Sequence, residues 1–192
     1  MGYLSDDEIN DIMKSVELLG ISEINTTSFN KFDAKIEEYN DFLDVVDKFD
    51  EWNISRTHFL IHNKTKELIG YMTLSTDSIK LTGEEKDLCH MSDVPFASIP
   101  AIKVGKLAIN KKLSKLAKRK GYGSFLIEVA RAFAFSLNNS GIACKFITVD
   151  ADIEYDPDTT VFYRKNGFVE NLANKSRKNT CTVSMRLDIF QD

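Results

Sequence analysis

The sequence predicts one α/β domain with a mixed β-sheet, and three observations support this prediction. The chain has 192 residues, within the roughly 100–200 residues that one domain usually takes. Hydrophobic residues make up 43% and charged residues 28%, as in ordinary globular proteins. Apolar residues recur at helical spacing in some segments and alternate with polar residues in others, so both helices and strands are expected.

Two helices are predicted in the first fifty residues. A capping box at Ser5–Glu8 is followed by apolar residues at helical spacing up to Gly20. A second apolar stripe with helical spacing covers residues 32–46. We assign residues 1–21 to an N-terminal amphipathic helix extension and residues 22–192 to the main domain.

The rest of the chain alternates strands with helices. Residues 58–62 and 68–79 predict an antiparallel hairpin, and residues 82–98 are interpreted as a loop. In the strand at 99–109, Gly105 indicates a bulge or a close approach of another backbone. The remaining predicted elements are a helix opened by Gly121 and Gly123 and ending at 138–141, a strand at 145–149, a helix at 159–166, and strands at 168–172 and 180–187.

The charge is distributed unevenly along the chain. The net charge is −4, yet residues 1–100 hold 9 Lys and Arg against 20 Asp and Glu, whereas residues 101–150 hold 10 against 2. Six of the ten residues 111–120 are Lys or Arg. A basic island on an acidic protein suggests a localised anionic ligand. A solvated, lysine-rich loop is the alternative interpretation.

Composition excludes several classes of protein. No apolar run approaches the 18 residues of a membrane span. The first twenty residues are acidic where a signal peptide would carry positive charge. The three cysteines form no CxxC pair and make a poor disulfide framework. We therefore expect a cytoplasmic protein in a reducing environment.

The segment that precedes the third helix has the properties of a phosphate site. Glycines at a helix entry leave backbone N–H groups uncovered, and the helix N-terminus adds partial positive charge. Neither a GxxxxGK[ST] loop nor a complete dinucleotide fingerprint is present. The segment reads Lys118-Arg119-Lys120-Gly121-Tyr122-Gly123-Ser124.

Other candidate sites in the sequence are weaker. His58 and His62 stand four apart on a predicted strand, so they do not form a helical metal pair. The acidic residues of 150–158 alternate as in a calcium loop, but Tyr155 stands where that loop requires glycine. We expect no metal site. The strand at 99–109 also contains no Glu or His that could serve as a general base.

Two separated motifs resemble those of the GNAT superfamily of acyl-CoA-dependent N-acetyltransferases. The residues 118–123 resemble the family's [QR]xxGx[GA] loop, with Lys118 in place of Gln or Arg. The residues 162–168 match FYxxxGF completely, and Val104–Ile109 looks like the family's fourth strand. The resemblance covers about residues 25–188 and implies a mostly antiparallel mixed sheet with parted central strands, flanked by helices.

The resemblance also implies roles for particular residues. Tyr163 would donate a proton to the departing CoA thiolate as general acid, and a tyrosine hydroxyl suits this role because its ordinary pKa is about 10. A backbone N–H near Gly105 would polarise the thioester carbonyl. The structural alternative makes Tyr163 a core aromatic. The implied acetyl-CoA contacts are Leu107, Ala108, Ile109, Lys118, Arg119, Lys120, Gly121, Tyr122, Gly123, Ser124 and Asp156.

Within the superfamily, residues 69–75 and 104–109 look most like the toxins of toxin–antitoxin modules. That branch acetylates the α-amine of aminoacyl-tRNA, and an aminoacyl ester's unusually acidic ammonium group would fit the missing base. The resemblance adds an antitoxin and a homodimer to the partners considered. The alternatives are an acetyltransferase for a small amine, peptide or protein N-terminus, and a non-catalytic acyl-CoA-binding domain.

Overall fold

The computed structural model describes residues 4–174 and 181–191. Its helices are α1 (Asp6–Met13), α2 (Glu37–Asp41), α3 (Val46–Glu51), α4 (Gly83–Leu88), α5 (Tyr122–Asn139) and α6 (Thr159–Lys165). Its strands are β1 (Val16–Leu19), β2 (Arg56–His62), β3 (Leu68–Lys80), β4 (Ser98–Ile109), β5 (Phe146–Asp152), β6 (Val169–Glu170) and β7 (Thr182–Asp188). Short 3-10 helices cover Thr26–Lys31, Phe42–Asp44 and Leu172–Asn174.

The strands form a seven-stranded sheet in the order β1-β2-β3-β4-β5-β7-β6. The pairs β1–β2, β2–β3, β5–β7 and β6–β7 are antiparallel. Strands β4 and β5 run parallel, as two hydrogen bonds between them show. The N–H of Lys145 donates to Pro100 O, and further along both strands, in the same direction, the Thr148 hydroxyl donates to Ile102 O. Helix α5 makes the crossover that a parallel pair requires. The predicted mixed, mostly antiparallel α/β fold is confirmed.

The chain divides into two compact units, which we describe separately. The N-terminal unit contains residues 4–75 and 104–129. The C-terminal unit contains residues 76–103 and 130–192, as far as these are described. The chain passes from one unit to the other within β3, β4 and α5. Within the described residues, we find no helix that combines the length and the hydropathy needed to cross a membrane.

Aromatic side chains dominate the core of the N-terminal unit. Phe59 on β2 and Tyr71 on β3 are fully buried and pack with Phe32 and Phe42 from the preceding helical segments. The Tyr71 hydroxyl donates a 2.6 Å hydrogen bond to the carbonyl of Tyr39. Burial raises the pKa of Tyr71 far above its ordinary value, so this hydroxyl remains a hydrogen-bond donor.

A buried ion pair lies inside the C-terminal unit. Glu85 on α4 is 1% exposed and Arg186 on β7 is 4% exposed, with 2.5 Å between Oε1 and Nη1. The carboxylate also accepts hydrogen bonds from the N–H groups of Thr82 and Leu172, at 2.8 Å each. These donors compensate the loss of hydration that a buried carboxylate suffers.

Three predicted elements differ from the structure. The first helix ends at Met13 instead of reaching Gly20, because residues 16–19 form strand β1 and obtain their partners from β2. The predicted helix at 32–46 is broken at Lys35, whose φ is +65°. The predicted loop at 82–98 contains α4, whose capping box joins Thr82 and Glu85. Tertiary pairing and an unrecognised cap explain these errors.

The other predicted elements are confirmed with small shifts of their boundaries. The hairpin is β2 and β3, the strand at 99–109 is β4, and the helix opened by the two glycines is α5. The later elements correspond to β5, α6, β6 and β7. Thr180, the predicted start of the last strand, lies outside the described residues, as do residues 1–3 of the predicted N-terminal extension.

Candidate functional site

The end of β4 is locked against β3 in the N-terminal unit. A Cβ atom added to Gly70 would lie only 2.5 Å from the carbonyl oxygen of Ala108, so the two backbones approach as closely as a glycine permits. Asn110, directly after β4, donates its N–H to Ile69 O (2.8 Å) and its side-chain amide to Leu68 O (2.9 Å). The predicted acetyl-CoA-contacting residues of this strand, Leu107, Ala108 and Ile109, therefore have a rigid backbone.

The glycine in β4 lies against a side chain of β3. The N–H of Lys106, next to Gly105, donates to the hydroxyl of Thr73 at 2.9 Å. A Cβ atom at Gly105 would lie 2.9 Å from the same hydroxyl, so the glycine leaves room for this contact. The N–H of Lys106 is thus occupied, so the predicted carbonyl-polarising role would fall to another amide of this stretch.

The predicted phosphate loop leads directly into α5. Gly121 has a φ of +94°, a conformation that side chains other than glycine rarely adopt. A Cβ here would lie 3.2 Å from a methyl group of Leu4. Tyr122 is buried, and its hydroxyl donates to Ala117 O at 2.9 Å. Contacts on both sides of Gly121 therefore fix the path of the loop.

The start of α5 fits a bound phosphate. Phe125 N–H bonds to Gly121 O at 2.8 Å, and the N–H groups of residues 122–124 precede this first helical bond, so the helix itself leaves them without a partner. The first turn contains no acidic residue. Glycines at 121 and 123 leave these amides accessible to an anion, and the 18-residue helix adds its dipole. The residues present therefore fit the pyrophosphate of acetyl-CoA.

Only some of the cations in residues 111–120 are neutralised. Lys112 forms a 3.0 Å ion pair with Asp33, and Arg119 forms a 2.6 Å ion pair with Asp11 on α1. The bond from Lys112 and, after it, the bond from the Lys35 N–H lower the pKa of Asp33. Within the described part of the chain, the side chains without an ion pair are Lys111, Lys115, Lys118 and Lys120.

The FYxxxGF motif has a clear structural explanation in the C-terminal unit. Helix α6 carries Tyr163 and stops at Gly167, whose φ is +85°. The N–H of Gly167 bonds to Arg164 O (3.0 Å), and that of Phe168 bonds to Tyr163 O (3.1 Å). Two backbone bonds of this kind close a helix whose C′ residue is glycine. The motif thus holds Tyr163 at a fixed distance from the helix end.

Tyr163 itself is surrounded by aromatic rings. Its side chain is 8% exposed, and its ring centroid lies 5.1 Å from Phe162 and 5.2 Å from Phe168, both at steep interplanar angles. This edge-to-face packing is favourable for aromatic pairs and restricts the ring to one orientation. The environment suits both a positioned hydroxyl and the alternative of a core aromatic.

Asp156 has a local structural role before α6. Its carboxylate accepts the N–H of Asp158 at 2.9 Å, and its carbonyl accepts the N–H of Thr159 at 3.0 Å. The residue therefore shapes the turn into α6. The predicted contact of Asp156 with acetyl-CoA stays a prediction, as do those of the other predicted contact residues.

The weaker candidates are engaged in structural interactions. Asp150 pairs with Lys103 at 2.5 Å, and the Nδ1 atom of His62 accepts the N–H of Thr65. Burial lowers the pKa of His58. Among the described residues, no group of three His, Cys, Asp or Glu side chains could hold a metal ion. The contact of α1 with the phosphate loop joins residues 108 positions apart, so no local pattern in the sequence indicates it.

No protein-family model matches this chain, and no curated protein does either. Solved structures do match. A tyrosine-to-phenylalanine mutant of KacT is 22% identical, with a TM-score of 0.65 over 90% of this chain and 95% of that one. AtaT complexed with acetyl-methionyl-tRNAfMet is 19% identical, with a TM-score of 0.67 over 88% and 93%.

A third match is a tyrosine-to-phenylalanine mutant of the AtaT toxin bound to the C-terminus of the antitoxin AtaR and to acetyl-CoA. It is 19% identical, with a TM-score of 0.64 over 90% of this chain and 93% of that one. The chain has the GNAT fold. The likeness covers about nine tenths of this chain and of each matched protein, so the fold implied by the two motifs is confirmed.

Proposed function

We propose that this protein is an acetyl-CoA-dependent N-acetyltransferase that acetylates a primary amine, the α-amine of an aminoacyl-tRNA. The observation that carries the proposal is the full-length fold likeness to AtaT, which was solved with acetyl-CoA in one case and with acetyl-methionyl-tRNAfMet in another. The complete FYxxxGF motif and the glycine-containing helix entry of this chain point to the same reaction.

The N-terminal unit provides the groups that would hold the acyl donor. The amides at the start of α5 and the side chains of Lys118 and Lys120 would bind the pyrophosphate. The backbone of residues 107–109, held in place by β3 and Asn110, would bind the pantetheine arm. Bound acetyl-CoA supplies the acetyl group as a thioester, which an amine attacks more readily than an amide or ester of the same acid.

Tyr163 would supply the proton that the thiolate takes up. Its ring is held by Phe162 and Phe168, so little conformational entropy remains to be lost when the hydroxyl is used. KacT and AtaT were both solved with a tyrosine replaced by phenylalanine. This supports a functional tyrosine in proteins of this fold, and we assign that role here to Tyr163, the tyrosine of FYxxxGF.

Deprotonation of the acceptor amine sets a condition on the substrate. Strand β4 offers no Glu or His, and its Lys103 is paired with Asp150. An enzyme without a strong base favours an amine that is already largely neutral. The α-amine of an aminoacyl ester meets this condition better than the side-chain amine of a lysine, whose ordinary pKa is about 10.4.

The cysteines support a cytoplasmic location for this protein, and the likeness to AtaT supports an antitoxin partner. Within the described structure the three cysteines, Cys89, Cys144 and Cys181, form no disulfide, which fits a reducing compartment. We therefore place the protein in the cytoplasm, where charged tRNA is found. By analogy with AtaT and its antitoxin AtaR, we expect an antitoxin partner, and residues 1–21 would be an addition to the acetyltransferase domain 22–192.

The alternative acceptor is a free small amine, a peptide or a protein N-terminus. The acidic first hundred residues, with 20 Asp and Glu against 9 Lys and Arg, favour this alternative because they would repel RNA. A non-catalytic acyl-CoA-binding domain is disfavoured by the intact tyrosine. The acceptor must therefore be decided by experiment.

The protein should be incubated with acetyl-CoA labelled in the acetyl group and with charged total tRNA. We expect label in the RNA fraction, and its release by mild alkali as an N-acetyl amino acid. The Tyr163→Phe variant and uncharged tRNA are the controls, and both should give only background. Label on a small amine or peptide, with none in the RNA, would show that the tRNA acceptor is wrong.

A further inference from the structure

The N-terminal unit contains a cavity of about 520 Å³ whose charged lining is mostly positive. Three segments form it: the end of α1, the turn between β2 and β3, and the stretch before α5. Among the described residues that line it, Asp11 is the one acidic residue, whereas the positive residues come from all three segments and are Lys14, Lys64, Lys118 and Arg119. The cavity was not foreseen from the sequence, because Lys14 and Lys64 lie far from the basic island.

Most of the positive charge of this cavity is not compensated by the described residues. Asp11 is bonded to Arg119 at 2.6 Å, which neutralises one of the four cations. The side chains of Lys14, Lys64 and Lys118 form no ion pair with any described residue. Lys118 is the cation that we assign to the pyrophosphate, so Lys14 and Lys64 are left without a negative partner. These two like charges come from separate segments and repel each other, and an anion bound between them would relieve this repulsion.

The cavity wall is built on a fixed backbone. The turn is tied to the end of α1 by Asn63, whose N–H donates to Ser15 O at 2.9 Å and whose amide donates to Lys14 O at 3.3 Å. His62 accepts the N–H of Thr65 on Nδ1, which leaves Nε2 as the ring nitrogen that can donate a hydrogen bond. The lining therefore combines cations with hydrogen-bond donors, which is the chemistry of a phosphate site.

We propose that this cavity binds a backbone phosphate of the RNA substrate. The inference rests on the proposed function, since it takes aminoacyl-tRNA as the acceptor. The cavity is large enough for a sugar–phosphate unit, being within the 300–1,000 Å³ range of ligand pockets. Exposed lysines at 111 and 115 continue the positive surface along the same segment, as a chain of regularly spaced phosphates would require.

The test separates RNA binding from cofactor binding. The double variant Lys14→Ala/Lys64→Ala removes two cavity cations and leaves the predicted acetyl-CoA contacts intact. The matched control is Lys31→Ala/Lys48→Ala, which removes two exposed lysines of the same unit that do not line the cavity. Fluorescence anisotropy with labelled, uncharged tRNA is measured over a range of salt concentrations, and calorimetry gives the affinity for acetyl-CoA.

We expect the cavity variant to bind tRNA about tenfold more weakly at low salt, with a salt slope smaller by about one for each lysine that contacts a phosphate. Its affinity for acetyl-CoA and its melting temperature should equal those of the control. Equal tRNA affinity and equal salt slopes in the two double variants would overturn the proposal, as would a wild-type protein that binds no tRNA.

One result would assign the cavity to the cofactor instead. If the cavity variant loses affinity for acetyl-CoA but not for dephospho-CoA, the anion is the cofactor's 3′-phosphate, and the RNA proposal is overturned. The proposed function fails separately. If both double variants acetylate charged tRNA with the same KM, the cavity does not bind the RNA, but the proposed function stands. If the wild-type protein transfers no label to charged tRNA, the proposed function itself is wrong.

Discussion

The carboxylate of Asp11 on α1 lies 2.6 Å from the guanidinium group of Arg119, in the loop that precedes α5. The pair joins the N-terminal helix to the segment that we propose to bind the cofactor pyrophosphate. Leu4 and Ile12 reach the same loop from the apolar side, since both lie within 4 Å of the Cβ position of Gly121. The N-terminal helix therefore supports the phosphate loop by both charge and packing.

We expect Asp11→Asn to tighten acetyl-CoA binding about threefold at low salt, because the carboxylate would repel a bound phosphate; two unit charges roughly 6 Å apart in water interact by about 0.7 kcal/mol. The gain should vanish at high salt, where exposed charges are screened. The pair is partly exposed, so unfolding free energy should fall by no more than about 1 kcal/mol. Calorimetry at two ionic strengths checks this, with Asp7→Asn on the same helix as control. Weaker binding would contradict the prediction.

Gly121→Ala should impair acetyl-CoA binding by distorting the phosphate loop. A side chain at a φ of +94° costs about 1–2 kcal/mol in backbone strain, and the Leu4 methyl group leaves little room for the added methyl group. Loss of one hydrogen bond to a charged phosphate, about 1.5–3 kcal/mol, corresponds to at least about tenfold in affinity.

Gly123→Glu should abolish acetyl-CoA binding, since it adds a negative charge beside the amides at the start of α5.

Gly141→Ala is the matched control for Gly121→Ala. Gly141 also has a positive φ, +86°, and open space around its Cβ position, but it follows α5 instead of preceding it. We expect a similar loss of thermal stability and unchanged acetyl-CoA affinity in calorimetry. An unchanged affinity in Gly121→Ala as well would show that the loop does not hold the cofactor.

Tyr163→Phe should reduce kcat by about 10²-fold or more, the usual contribution of a positioned general acid, while leaving acetyl-CoA affinity nearly unchanged. The substitution keeps the ring that packs on Phe162 and Phe168 and removes only the hydroxyl. Tyr155→Phe, at an exposed position of the same unit, is the control. Steady-state kinetics on an identified acceptor measure the effect, and an unchanged kcat would leave Tyr163 with a packing role only.

Glu85→Gln should destabilise the protein by about 3–5 kcal/mol, the usual cost of removing one partner of a buried ion pair. The amide has nearly the same shape, so the loss comes from the charge of Arg186, which is left buried without its partner. Urea unfolding measures the difference. Glu84→Gln, on the exposed side of the same helix, should change stability by less than about 0.5 kcal/mol.

The same carboxylate should contribute to acid sensitivity. Burial alone would raise the pKa of Glu85, but bonds from the N–H groups of Thr82 and Leu172 and the charge of Arg186 outweigh burial and lower it. Since the folded pKa lies below the unfolded value near 4.5, the contribution is full above that pH and is lost as the pH falls through the folded pKa. Glu85→Gln should therefore flatten the fall in unfolding free energy below pH 4.5. An unchanged slope would contradict this.

Local patterns in the sequence were sufficient for most of the fold. The alternation in 182–187, the turn between residues 62 and 68 and the two glycines at 121 and 123 predicted β7, the hairpin and the start of α5. Each signal acts within a few residues, because strand alternation and helix capping depend on neighbours in the chain. The prediction was wrong at residues 16–19, whose apolar pattern fits a helix and a strand equally well until β2 supplies backbone partners.

The sequence by itself determined the GNAT motifs, the two glycines at the entry to α5 and the basic island, because these depend on residue type and spacing alone. Only the tertiary structure decided which cations are neutralised. It pairs Lys112 with Asp33 and Arg119 with Asp11, and it brings Lys14 and Lys64 to one cavity with Lys118. The energy of two charges depends on the distance between them in space. For residues about a hundred positions apart in the sequence, only the folded chain determines that distance.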